Sequence, residues 1–549
     1  MMISRTVHCA SLLLALAACS GTDSPLHVPP VSGASVRIVP QSVELVPGGT
    51  ATLQVEVRGE SGALIPAPTV QWSTISAAIA TVTSTGVVTG VAVGDGRIVA
   101  SSNGISDTAD VRVIPVEPTG PAVEIFPEIT YQEMKGWEGT AQIGEVECNP
   151  VAYNAYRQEL LNRLVNELGV DRIRLHVRSG HENPTDYYTK FKTSRSTADW
   201  FPFRYQSVND NDDPDVIRPG GFQFAEIDHK VEAIIQPLRA LLQARGEKLY
   251  VNLNYVDFGK SPWEQSSDPR EYAELILATF QHLQARYGWV PDAVELVLEP
   301  DNTANWTPQV IGRAIVATGD RLAAAGYRPA FIAPSNSSMS AALADLNGVL
   351  SVPRVLEYLT DVAYHRYSGV SKATLTAIAA RANQFGLRTA MLEKIAAGHE
   401  VLHEDLRDGL NSSWQQFVLG FCGSDNGGAY YVVNQSNPSS PRIVMADRSR
   451  YLRQYFSYIR FNARRIGALS GDSRLDPLAF RNTDGKLVVV VAVASAGPVP
   501  LRRLPPGSYG ATFTTATQSF VQLPDMQVGT TGTAQLTMPA KGVVTIFAR

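Results

Sequence analysis

Val294-Glu-Leu-Val-Leu-Glu-Pro-Asp-Asn302 is an apolar run that ends abruptly in a carboxylate, a proline and two polar residues. Such a stretch reads as a buried strand delivering an acid, Glu299, to its C-terminal rim. Arg388-Thr-Ala-Met-Leu-Glu393 has the same form, and two strand-helix units and part of a third separate the two. If both are parallel strands of one closed barrel, Glu299 and Glu393 point into the same mouth. Paired carboxylates on facing strand ends suit glycoside hydrolysis, one protonating the leaving oxygen and the other attacking or stabilising the oxocarbenium-like centre.

Strand patterns recur on either side of these two, at 136–143, 170–177, 248–255, 293–298, 329–334, 359–366, 388–393 and 428–433. Helical patterns separate them, for example at 153–168, 270–287, 337–350 and 372–385. This alternation predicts a (β/α)8 TIM barrel over residues 122–465. No Gly-x-Gly-x-x-Gly follows an early strand, so no nucleotide cofactor is expected, and no other cofactor or metal is assigned. After Ala463 short strands return, and Leu487-Val-Val-Val-Val-Ala-Val493 is too apolar for a half-exposed strand. A C-terminal β-sandwich over 466–549, packed on the barrel and completed by Val123-Glu-Ile125, accounts for it. The connection from Arg178 to Gly221 is long and aromatic (Tyr187, Tyr188, Phe191, Trp200, Phe201, Phe203, Tyr205). These rings either stack on sugar faces or form a satellite core. Its acidic run Asn209–Asp215 lacks the glycine and distal glutamate of an EF-hand loop and reads as solvated.

Residues 34–114 differ in kind. Ala51-Thr-Leu-Gln-Val-Glu-Val57 alternates with period two, and Pro47-Gly-Gly49, Gly86 and Gly90 mark turns, which indicates a small β-sandwich. Pro115–Pro121 reads as a proline-rich linker. At the N-terminus, Arg5 and the apolar Ala10–Ala18 form an export signal over 1–18, too short to span a membrane. Leu16-Ala-Ala-Cys19 resembles the bacterial lipobox, which implies lipidation of Cys19 and a flexible tether over 19–33.

The 549 residues are 44% hydrophobic and 8% aromatic, with a net charge of −5. This composition is ordinary for several globular domains, and the charge argues against a nucleic-acid partner. The expected setting is exported and membrane-anchored, periplasmic or at the cell surface, with the membrane touched only through the lipid, as a monomer. Of the four cysteines, Cys148 and Cys422 remain after the signal and lipid sites. Cys148 follows the first predicted strand and Cys422 precedes the eighth, so two buried free thiols at opposite ends are favoured over a disulfide.

Two resemblances sharpen these expectations. Ser-Val-Glu-Leu-Val-Pro-Gly-Gly, Val-Gln-Trp-Ser-Thr and Gly-Val-Val-Thr-Gly-Val-Ala-Val-Gly resemble the bacterial Ig-like group 2 domain, which implies a surface spacer. Tyr131-Gln-Glu-Met-Lys-Gly-Trp-Glu-Gly-Thr140, Arg460-Phe-Asn-Ala-Arg-Arg-Ile-Gly-Ala468 and Met538-Pro-Ala-Lys-Gly-Val-Val-Thr resemble glycoside hydrolase family 30 and its clan A relatives. That family implies a retaining hydrolase of β-linked polysaccharides or oligosaccharides, with acid/base Glu299 at the end of strand four and nucleophile Glu393 at the end of strand seven. Candidate substrate contacts are Arg174 on strand two, Asn254 on strand three, Trp137, and His365 with Tyr367 at the end of strand six, each alternatively a barrel-lining residue; His365-x-Tyr367 resembles a motif of the clan whose tyrosine orients the nucleophile. Leu298 departs from the asparagine that usually precedes the acid/base. A non-catalytic surface protein that binds glycans through a degenerate barrel is the alternative.

Overall fold

A computed structural model describes residues 34–116, 118, 120–258 and 263–549. The signal 1–18, Cys19 and the tether 19–33 lie outside the described residues. The chain divides into two compact units that meet in sequence at Val113 and Ile114.

In the N-terminal unit, Ser42–Leu45, Ile105–Val113, Gly94–Ser102 and Gln71–Thr74 form a four-stranded sheet. Thr50–Thr52, Val87–Gly90 and Ala80–Val82 form a second, and Ser35–Val39 pairs with Gln54–Arg58. Alternate residues of these strands, among them Ile38, Val88, Ile98, Val111 and Val113, bury their side chains in one core.

The second unit holds the barrel. Its strands are β1 (Trp137–Thr140), β2 (Arg172–Arg178), β3 (Tyr250–Val256), β4 (Ala293–Glu295), β5 (Ala330–Ser338), β6 (Leu359–Ser368), β7 (Arg388–Glu393) and β8 (Asn411–Cys422). Each runs parallel to the next, and β8 returns to β1 through Trp137 opposite Trp414 and Glu138 opposite Gln415. Helix ends follow local chemistry. Asp268 accepts a hydrogen bond from the Arg270 amide to start Pro269–Tyr287, and Gly288 ends that helix at φ 75°. A side chain there would strain the backbone, which is why glycine closes the turn.

The eighth strand corrects the sequence reading, which placed it at 428–433. Asn-Ser-Ser-Trp-Gln-Gln is polar and carries no strand-like apolar run, yet Ser412, Ser413, Gln415 and Gln416 are all fully buried. Ala429–Asn434 adds only to the far half of β8. Cys422 therefore ends its strand instead of preceding it, on the same side as Cys148. The two are joined in a disulfide with Cα atoms 5.4 Å apart, bridging 274 residues of sequence, so the free-thiol expectation is overturned.

Beyond the barrel, a nine-stranded β region includes Val123–Glu133, antiparallel to Arg464–Ser470. The apolar strand Leu487–Val493 is covered on both faces. Val489 and Val491 enter the core of this region, while Val488 and Val490 join the barrel's hydrophobic cluster.

Candidate active site

Alternate residues of a strand share a face, and the inward positions of this barrel are unusually polar. Glu138 from β1, Arg172 and Arg174 from β2, Asn252 and Asn254 from β3, Glu295 from β4, Ser335 from β5 and His365 from β6 are all nearly or fully buried. Such a layer persists only if its charges are paired. Arg172 pairs with Glu138. Arg174 reaches Glu295 at 3.2 Å and Glu393 at 2.8 Å, and donates to the Leu392 carbonyl at 2.6 Å. Asn252 donates to Glu295 at 2.8 Å. Burial opposes the charge on Arg174, but Glu295, Glu393 and Glu138 outweigh it and raise its pKa.

The two carboxylates seen in sequence close this layer toward the mouth. Glu393 ends β7, and Tyr367 at the end of β6 donates its hydroxyl to Glu393 Oε1 at 3.0 Å. Burial, with the charge of Glu393, holds the Tyr367 hydroxyl protonated by raising its pKa. Glu299 follows β4 at φ 49°. A non-glycine residue adopts that left-handed conformation only under tertiary constraint. Its amide donates to the Ser335 carbonyl at 3.1 Å, and Asn302 donates to its Oε2 at 2.7 Å. His365 Nδ1 lies 2.9 Å from Glu299 Oε1. One donor atom from each of Glu299, His365 and Glu393 lies within 4.8 Å of the others, the sole such trio among the described residues. A divalent ion there would face the Arg174 guanidinium already on Glu393, so we assign no metal.

Opposing influences set the charge of Glu299. Burial does raise its pKa. The hydrogen bond and charge of His365, then Arg174 and Asn302, more than offset burial and hold it below the usual carboxylate range. Glu299 is therefore biased toward the carboxylate, held by His365 and Asn302, and is not an isolated carboxylic acid.

Four of the five predicted substrate contacts, Arg174, Asn254, His365 and Tyr367, come from inner strand faces or their C-terminal ends, but Trp137 does not join them. Its neighbour Glu138 faces inward, so Trp137 faces out; its indole donates to the Ile459 carbonyl at 2.7 Å and stacks on Phe456 at 4.4 Å. It is a core residue between barrel and helices. Leu298 packs with Tyr205, Val256 and Phe258, leaving no side-chain donor at that position. The loop aromatics Tyr188, Phe191 and Trp200 form a satellite cluster.

His176, Glu295 and Ser335 were missed. His176 lies beside Asn254 in the pairing of β2 with β3. Among the described residues, neither ring nitrogen of His176 and neither amide atom of Asn254 has a hydrogen-bond partner. Burial, then Arg178, Lys230, Arg174 and Arg204, push the His176 pKa well down, so its ring is neutral. The signal for Glu295 was present: a carboxylate inside an apolar strand must be paired with something.

Residues 33–113 match the family described as bacterial Ig-like domain (group 2). No curated protein matches the chain. Among solved structures, the chain is similar to a GH30 endoxylanase from Clostridium papyrosolvens C71 (16% identity, TM-score 0.56, 78% of this chain and 100% of that one). It is likewise similar to the catalytic domain of GH30 xylanase C from Talaromyces cellulolyticus (15%, TM-score 0.56, 78% and 100%). The endo-β1,6-glucanase BT3312 is a third (14%, TM-score 0.53, 82% and 97%). At these identities the likeness establishes a shared fold, the barrel with its β-rich companion.

Proposed function

We propose that this protein is a retaining glycoside hydrolase of β-linked glycans. The observation that carries the reading is the pair Glu299 and Glu393, delivered by β4 and β7 into one mouth with carboxylate oxygens within 4.8 Å. Retaining pairs sit about 5–5.5 Å apart, whereas inverting pairs leave room for a water at about 6.5–9.5 Å. The similarity in fold to xylanases and a glucanase supports the same class. Glu393, paired with Arg174 and oriented by Tyr367, attacks the anomeric carbon. The Glu299–His365 pair gives its proton to the departing oxygen and later takes one from water. Asn254 and the neutral His176 offer hydroxyl-binding groups where Leu298 supplies none. Placement at a membrane through Cys19, action as a monomer and an exported setting belong to the same proposal.

The test separates the two carboxylates. Glu393→Ala should abolish turnover on every substrate, a loss of more than about 10³-fold, since no covalent intermediate forms. Glu299→Ala should lose the natural glycan yet still be glycosylated by an aryl glycoside with an acidic phenol, giving a burst that azide converts to turnover. Full activity in both variants would exclude this pair. Leu298, an apolar residue beside Glu299, is the feature that favours the second reading, a glycan-binding barrel without turnover. A wild type that binds glycan but cleaves none of a panel of xylans, β-glucans and aryl glycosides would establish it.

A further inference from the structure

Ser335 joins the barrel's buried charge layer to the catalytic pair. Its hydroxyl donates to Glu295 Oε1 at 2.6 Å, and the same oxygen lies 3.4 Å from His365 Nε2. Glu295 is itself paired with the Arg174 guanidinium at 3.2 Å. A hydroxyl that spends its one proton on a carboxylate offers only lone pairs to its other neighbour. His365 Nε2 can therefore meet Ser335 only as N–H donor, and Nδ1, facing Glu299, is left without a proton whenever the ring is neutral.

We propose that Ser335 and Glu295 lock the tautomer of His365, so that His365 and Glu299 hold a single proton between them that can leave only from that pair. This rests on the reading of Glu299 as the acid/base. Two states follow: neutral His365 accepting from a protonated Glu299, or imidazolium donating through Nδ1–H to a Glu299 carboxylate. Loss of the shared proton leaves a carboxylate facing a bare Nδ1 lone pair, which is repulsive. In protonating the leaving group, Glu299 transfers that proton to the glycosidic oxygen as the C–O electron pair departs onto it. Its carboxylate is then ready to take a proton from water. Without the lock, deprotonated His365 could turn to the Nδ1–H tautomer, donate to the carboxylate and stabilise the form that cannot act as acid. The other charged and titratable groups facing this pair are Glu295, Arg174, Glu393 and Tyr367. Ser335 and Glu295 are positioning residues, acting through His365.

Ser335 sits at φ 62°, so Ser335→Gly removes the hydroxyl at a position glycine occupies without strain. Selectively ¹⁵N-histidine-labelled full chain, with the His365 resonances assigned through a His365→Asn control, reads the tautomer without needing activity. Wherever the ring is neutral, wild type should show His365 protonated at Nε2 alone, and Ser335→Gly a mixture including Nδ1–H. Glu295→Gln is the second variant should the first not fold, and it should loosen the same preference. In kinetics, Ser335→Gly should move the alkaline limb of kcat/KM down by about one pH unit, the worth of one buried hydrogen bond. The loss should grow as the leaving phenol becomes less acidic. An Nδ1–H tautomer in wild type, or the same tautomer in wild type and both variants, overturns the lock. If the tautomer changes while Glu299→Ala leaves activity intact, the lock stands and the acid/base assignment fails.

Discussion

Asn254 is fully buried, and among the described residues its amide oxygen and nitrogen have no partners. Each such atom costs folding free energy unless something outside the fold satisfies it. Asn254→Ala should therefore leave stability within about 1 kcal/mol of wild type, or raise it, where an ordinary buried, hydrogen-bonded asparagine would lose more. If the amide holds a sugar hydroxyl, the same variant should lower kcat/KM by about 10- to 100-fold, the scale of leaving one buried hydroxyl unpaired. Urea denaturation beside steady-state kinetics checks both halves, and a large loss of stability with unchanged kinetics would make Asn254 a structural residue. At this scale the sequence was legible where chemistry interrupts a pattern. Glu299 and Glu393 stand out because each terminates an apolar run. Ser335 and His176 do not, because their meaning depends on tertiary placement: the Ser335 hydroxyl meets His365 at a register shift, and strand pairing sets His176 beside Asn254. Trp137 was misassigned because the motif around it marks the barrel's opening, not the direction of its side chain.

Elements were legible in proportion to how apolar they are. The seventh strand falls where read, at Arg388–Glu393, and Pro269–Tyr287 is one residue longer than read. The eighth was missed because its first half, Asn411–Gln416, is polar and shows neither alternation nor an apolar run, so the apolar 417–422 that follows was not joined to it. That strand also carries the disulfide. Cys148–Cys422 ties the segment after β1 to the end of β8 across 274 residues, closing the barrel seam covalently. Closing so long a loop restricts the unfolded chain and should contribute about 2–4 kcal/mol. Cys148→Ser should lower the urea midpoint accordingly, and dithiothreitol should bring wild type down to the variant. Equal midpoints for oxidised wild type and the variant would show that the bond contributes nothing.

Over the whole molecule, buried carboxylates of opposite bias set how stability depends on pH. Glu226 is buried, which raises its pKa, but Arg178 at 3.1 Å and Lys230 at 3.0 Å more than offset this and bring it from its ordinary 4.5 to about 2. A depressed carboxylate stabilises above its unfolded pKa, and that contribution is lost as pH falls from about 4.5 to about 2, a change on the order of 3 kcal/mol. Glu274 has the opposite bias. It is buried, with Arg321 at 3.9 Å as its ion-pair partner, and burial, then Asp210 against the weaker pull of Arg321, raises its pKa. The folded state then binds a proton that the unfolded state has released, so its contribution is full below about pH 4.5 and declines as pH rises toward its folded pKa. Glu182, pushed up to about 8 chiefly by burial, acts in the same direction. Melting temperature should therefore peak near pH 5 and decline on both sides. Glu226→Gln should be less stable than wild type at pH 7 and nearly equal to it at pH 2. Glu274→Gln, which carries no titrating group, should gain on wild type steadily from pH 5 to pH 8. A difference between wild type and either variant that stays constant with pH would mean that these two groups do not titrate across folding as their surroundings require.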